Sequence, residues 1–81
     1  MKIKILGPGC ARCDQMEQTT KEVVKELGID ASLEHVRDIK KIMEYPILHT
    51  PGLVINEKVV CFGRVPSKAE VTTFITNALS Q

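Results

Sequence analysis

At 81 residues with a net charge of +1, the chain has room for one modest core and no charge excess to draw nucleic acid or an anionic membrane. Three aromatic residues (Tyr45, Phe62 and Phe74) are too few for a base-stacking platform, and no apolar run reaches the ~20 residues of a membrane span. Three cysteines, an odd number, do not make a secreted disulfide framework, so a close cysteine pair here reads as catalytic or metal-binding.

Lys2 to Leu6 alternates lysine with isoleucine and is predicted to be a strand. Met1 opens directly onto it without a charged and apolar leader, so a cytoplasmic location is expected. A glycine-rich stretch follows, Gly7-Pro8-Gly9-Cys10-Ala11-Arg12-Cys13, and leads into a helical pattern from about Ala11 to Leu27. The stripe Met16, Val23, Val24 and Leu27 is its expected buried face, and Gly28 its left-handed C′ residue. Ile29 to Val36 alternates loosely and is expected to be a second strand. Asp38 is a candidate N-cap for a short helix over Ile39 to Glu44, with Lys40 and Lys41 on its solvated face and Pro46 as its stop.

Leu53 to Ile55 and Lys58 to Phe62 flank Asn56-Glu57 and predict a hairpin. A two-residue turn there pairs Val54 with Val59, Leu53 with Val60 and Gly52 with Cys61, placing Cys61 beside Pro51. Ser67-Lys68-Ala69-Glu70 has the capping-box pattern, and Val71, Phe74, Ile75, Ala78 and Leu79 form the apolar face of the helix it opens. The order βαβαββα, as one domain over residues 1–81, implies an α/β fold. A right-handed parallel crossover and an antiparallel hairpin would share a four-stranded mixed sheet flanked by three helices.

Cys10 and Cys13 carry the chemistry. Residues three apart share a helix face about 5–6 Å apart at Cβ, within adjustment range of a disulfide. A thiol at a helix tip meets unpaired N–H groups and the positive end of the macrodipole, and Arg12 adds a cation. Both lower a thiol's pKa, and the thiolate is the species that attacks. Cys10 is therefore the candidate nucleophile and Cys13, one turn deeper, the candidate resolving thiol of a thiol–disulfide oxidoreductase.

With CxxC at the first strand–helix junction and Thr50-Pro51 just ahead of the hairpin, the chain resembles the thioredoxin superfamily. The likeness is greatest to the small glutaredoxin-sized thioredoxins of archaea and bacteria, the redox-active disulfide proteins. It implies a thioredoxin-like sheet of order 2-1-3-4, the first and last helices on one face and the second on the other. It further implies a cis proline at Pro51 packed beside the CxxC. Thr50 and Pro51, with Ala11 and Arg12 between the cysteines, become the candidate substrate-binding residues. The family also implies disulfide-containing protein substrates, no cofactor beyond the cysteine pair, and recycling by a thioredoxin reductase or another dithiol donor; a monomer is expected.

Four departures mark this chain. The intervening pair is Ala11-Arg12, Gly9 stands where thioredoxins have an aromatic residue, and Lys4 where they have a buried carboxylate. Thr50-Pro51 and Gly63-Arg64 match glutaredoxin's glutathione-binding segments only in part. Cys61 is expected to be a packed small hydrophobe, with an accessory thiol as the alternative. His35 and His49 are expected to be surface or locally hydrogen-bonded residues. A soft-metal carrier is the competing function, since copper chaperones also place CxxC after a first strand. Those proteins run βαββαβ and carry methionine where Pro8 stands. A zinc site from Cys10, Cys13, Cys61 and His49 lacks a second ligand pair at useful spacing.

Overall fold

In the computed structural model the described residues are 1–9 and 11–80; Cys10 and Gln81 lie outside them. The element order is β1 (Lys2–Leu6), α1 (Ala11–Leu27), β2 (Ser32–Val36), α2 (Ile39–Ile42), β3 (Gly52–Ile55), β4 (Lys58–Phe62) and α3 (Lys68–Leu79). The strands form one sheet of order β2-β1-β3-β4, with β1 parallel to β2 and the other two pairs antiparallel. This is the mixed 2-1-3-4 sheet expected from the resemblance. The last element is a helix, which removes the topological basis for a βαββαβ metal carrier.

Two clusters hold the layers together. Ile3 and Ile5 point to one face, where they meet Leu53, Ile55 and Cys61, Met16 and Val23 of α1, and Val71 and Ile75 of α3. Leu6 and Val54 point to the other face and meet Val36 and Ile42 of α2. Each fully buried aliphatic side chain stabilises the fold by about 1.5–3 kcal/mol. Two helices therefore share one face and the short helix takes the other, since β1 buries Ile3 and Ile5 on one side and Leu6 on the other.

The local signals hold with small shifts. Gly28 ends α1 at φ 62° with its N–H on the Lys25 carbonyl. Asp38 caps α2 by accepting from the Lys40 N–H, and Ser67 and Glu70 form a complete capping box on α3. In α1 the buried positions are Cys13, Met16, Thr20 and Val23. Leu27 is left exposed at the helix end, and Thr20 is buried by donating its hydroxyl to the Met16 carbonyl at 2.8 Å.

Three expectations are corrected. β2 starts at Ser32 rather than Ile29, because its first partner on β1 is Lys2 and β1 has no residue to pair with what precedes. Helix α2 ends at Ile42 rather than Glu44, as the Glu44 and Tyr45 N–H groups turn back to the carbonyls three residues earlier, ahead of Pro46. In the hairpin Val54 pairs with Val59 as expected, but Leu53 pairs with Cys61 and Gly52 with Phe62. A bulge at Val60 causes the shift. It lets the consecutive residues Val60 and Cys61 both pack on the α1/α3 side, which strict alternation forbids. Cys61 is thus drawn into the core and away from the position beside Pro51; it is Gly63 whose N–H reaches the Pro51 carbonyl, at 2.9 Å.

Candidate functional site

The site forms where the C-terminal ends of β1 and β2 and the start of β3 meet. Pairing Leu6 with both Val36 and Gly52 brings the segment after β1 alongside the segment after β2 and the one before β3. Gly7 is the hinge of this junction. Its N–H bonds the Val36 carbonyl at 3.0 Å, and a Cβ added to it would overlap Cys13 Sγ and lie 4.0 Å from Pro51 Cα. Only a residue without a side chain lets the Cys13 sulfur and the Pro51 backbone close around this point.

Cys13 sits in the first turn of α1 with no exposed surface, as a shielded thiol should. The Thr50–Pro51 peptide is cis and Pro51 is buried, as the resemblance implied. Ala11 and Arg12 are exposed on the same turn as Cys13. The structure thus brings together Cys13, Pro51, Thr50, Ala11 and Arg12; Cys10, between Gly9 and Ala11 in the chain, lies outside the described residues.

Beside Thr50 runs a 360 Å³ apolar groove lined by Ile39, Ile42, Met43, Ile47, Leu48 and His49. Leu48 is 83% exposed and Met43 76% exposed, although both are large and apolar. The groove thus lies next to the Thr50–Pro51 segment.

Two residues on the site's rim have a place that the sequence reading missed. Gly9, at φ 98°, lies under the Arg37 guanidinium, and a Cβ there would overlap Arg37 Nη1. Arg37 therefore puts a second cation, beside Arg12, against the loop that enters the CxxC. His35 turns its ring inward from β2, with Nε2 3.2 Å from the Gly7 carbonyl and the side chain only 6% exposed. The signal for both was the parallel β1–β2 pairing, which sets the end of the second strand next to the residues following the first. His49 packs instead on Gly63, with its Cβ 3.5 Å from where a Gly63 Cβ would stand.

Lys4 is held by two partners. Its Nζ donates to Glu57 at 2.8 Å and Tyr45 at 3.0 Å, and those bonds hold the ammonium charged above lysine's ordinary range while lowering the Glu57 carboxyl. Glu57 lies in the hairpin turn, which adjoins the start of β1, so this charge is directed to the end of the sheet opposite Gly7. At Cys61, burial pushes the thiol's pKa up, against the opposing pull of Arg64, and its Sγ lies 3.9 Å from the Arg64 carbonyl.

A family model described as a thioredoxin domain matches residues 1–76. The thioredoxin of Methanothermobacter thermautotrophicus is 41% identical over 76 residues, covering 94% of this chain and 99% of that protein. The chain belongs to the thioredoxin family. The thioredoxin of Methanocaldococcus jannaschii is 39% identical over 69 residues, covering 85% of this chain and 79% of that one. Thioredoxin 1 from Thermosipho africanus shares the fold, with a TM-score of 0.66 at 24% identity across 99% of this chain and 96% of its own. The family fits the arrangement at Gly7, Cys13 and cis-Pro51, and the activity follows: the protein is a thiol–disulfide oxidoreductase acting on protein disulfides. The copper-carrier alternative finds no support in these likenesses. Among the described residues no helix is long and apolar enough to cross a membrane.

Proposed function

We propose that Cys10 is the attacking thiol and Cys13 the resolving one, and that the protein works as a reductant. The Cys10 thiolate attacks a substrate disulfide, forming a mixed disulfide and releasing one substrate thiolate. The Cys13 thiolate then displaces the second substrate sulfur, leaving a Cys10–Cys13 disulfide; two electrons pass to the substrate, whose thiolates take up two protons. The observation that carries this reading is the burial of Cys13 in the first turn of α1, against Gly7 and beside the cis Thr50–Pro51 peptide. A shielded sulfur one turn inside the helix is accessible to a mixed disulfide at position 10 and to little else.

The cationic rim of Arg12 and Arg37 favours a thiolate at the loop they flank. Thr50 and Pro51 present an edge along which an extended substrate segment can lie, with Ala11 and Arg12 opposite it and the Met43–Leu48 groove receiving an apolar side chain. Recycling falls to a thioredoxin reductase or a small dithiol, with no further cofactor. The chain acts as a single cytoplasmic domain and a monomer.

Insulin reduction driven by dithiothreitol tests the assignment. Wild type is expected to accelerate precipitation of the insulin B chain, and Cys10→Ser to fall to the rate of dithiothreitol alone. Equal rates for the two proteins would remove Cys10 from the mechanism.

A further inference from the structure

Beside the dithiol, one group of side chains takes no part in the redox steps. Asp14 and Glu17 lie three residues apart on α1 and so share a face, and His35 of β2 turns towards them. One ligand-type atom from each residue lies within 4.8 Å of the other two. Acidic pairs on a helix are common and mean little alone. What sets this one apart is His35 Nδ1, which is buried, has no hydrogen-bond partner, and stands 3.4 Å from Glu17 Oε1.

The other ring nitrogen decides the chemistry. Nε2 faces the Gly7 carbonyl, which can only accept, so Nε2 carries a hydrogen and donates. In the neutral ring Nδ1 then presents a lone pair to a carboxylate, a repulsive contact unless a cation lies between them. A proton is one such cation and a divalent metal ion is another. An ion on the Nδ1 lone-pair axis takes its oxygen ligand from the side, leaving nitrogen and oxygen close but not collinear with the lone pair. With bonds of about 2.0–2.1 Å, a tetrahedral ion spaces its ligand atoms roughly 3.3 Å apart, which the His35–Glu17 separation already meets. Asp14 is exposed and its carboxylate lies within 4.8 Å of the other two ligand atoms, so a side-chain rotation would bring it into the shell. The bond from Nε2 to Gly7 is also the kind of outer bond that orients a metal-bound histidine.

We propose that Asp14, Glu17 and His35 form a binding site for a zinc-class divalent ion, with three protein ligands and a fourth position open to water. One imidazole and two carboxylates suit zinc, cobalt or manganese better than magnesium or calcium, which call for all-oxygen shells. Lys21 Nζ is 4.0 Å from Glu17 Oε2; its side chain is mostly exposed and can swing away. An ion held here ties α1, one residue after Cys13, to the histidine that braces Gly7.

The cysteines are themselves zinc ligands, so the test removes them. Zinc titrated calorimetrically into Cys10→Ala/Cys13→Ala/Cys61→Ala, with native helicity checked by circular dichroism, is expected to bind one to one. Adding Glu17→Gln or His35→Gln is expected to weaken binding more than about tenfold, since loss of even an outer partner costs 10–100-fold. Should the triple variant not fold, manganese(II), which prefers carboxylate to thiolate, replaces it in titrations of the wild-type chain. Saturable broadening of NMR signals centred on His35 and Glu17 is then the expected result. Absence of saturable zinc binding, affinity unchanged by His35→Gln, or manganese broadening spread over all surface carboxylates would overturn the site.

Discussion

Gly7 is where a single atom decides the site. A methyl group at this position would overlap Cys13 Sγ, and Cys13 cannot retreat because it is fully buried within α1. Gly7→Ala is expected to lower unfolding stability by about 1–3 kcal/mol, the range for overpacking a filled core, and to slow insulin reduction. Denaturant melts and the turnover assay check both; a variant as stable and active as wild type would mean that the Cys13 sulfur is not held against Gly7. Glu70 is a second residue with a measurable signature. It accepts two bonds from Arg64, at 3.1 and 2.6 Å, and one from the Ser67 N–H at 3.1 Å. The Arg64 bonds, with help from Ser67, lower its pKa from 4.5 to about 2. A folded value below the unfolded one means that the stabilisation is complete above the unfolded pKa and is lost as pH falls through the folded one. The Tm advantage of wild type over Glu70→Gln is therefore expected to be constant above about pH 5 and to shrink towards pH 2; glutamine keeps the capping-box acceptor, so the difference isolates the charge.

At the scale of elements, the loop from α2 to β3 leaves Met43 and Leu48 exposed beside Thr50, where a stability argument alone would place polar residues. Removing Leu48 is therefore expected to separate binding from folding. Leu48→Ser should change stability by no more than about 0.5 kcal/mol, the usual range for a surface substitution. It should raise KM for a protein disulfide and leave the rate with a small-molecule disulfide unchanged. An equal loss with both substrates would place Leu48 outside the docking surface. Local signals made most elements legible in the sequence: the Gly28 stop, the Asp38 cap and the Ser67–Glu70 box each depend on neighbours in the chain. The Val60 bulge does not. It answers to which side of the sheet Val60 and Cys61 must face, and two adjacent residues on one face contradict the period that reveals a strand. The start of β2 was hidden for a like reason, since it is set by where β1 runs out.

For the whole molecule, the sheet order and the helix faces followed from the family resemblance, and the hydrophobic pattern was consistent with them. The candidate site could be proposed from the sequence because CxxC and Thr50-Pro51 are short motifs. Its rim could not, because Arg37 and His35 reach Gly9 and Gly7 only through the parallel pairing of strands some thirty residues apart. Lys4, which stands where thioredoxins have a buried carboxylate, gives its charge to the hairpin turn through Glu57. The fold sinks Cys61 in the core and disfavours its thiolate by burial, in keeping with the proposed roles of the other two cysteines. The direct test is to trap the intermediate. Cys13→Ser, incubated with a disulfide-containing protein and mapped by mass spectrometry, is expected to accumulate a mixed disulfide at Cys10, with Cys61 unmodified. A bond at Cys61, or none at Cys10, would contradict the account.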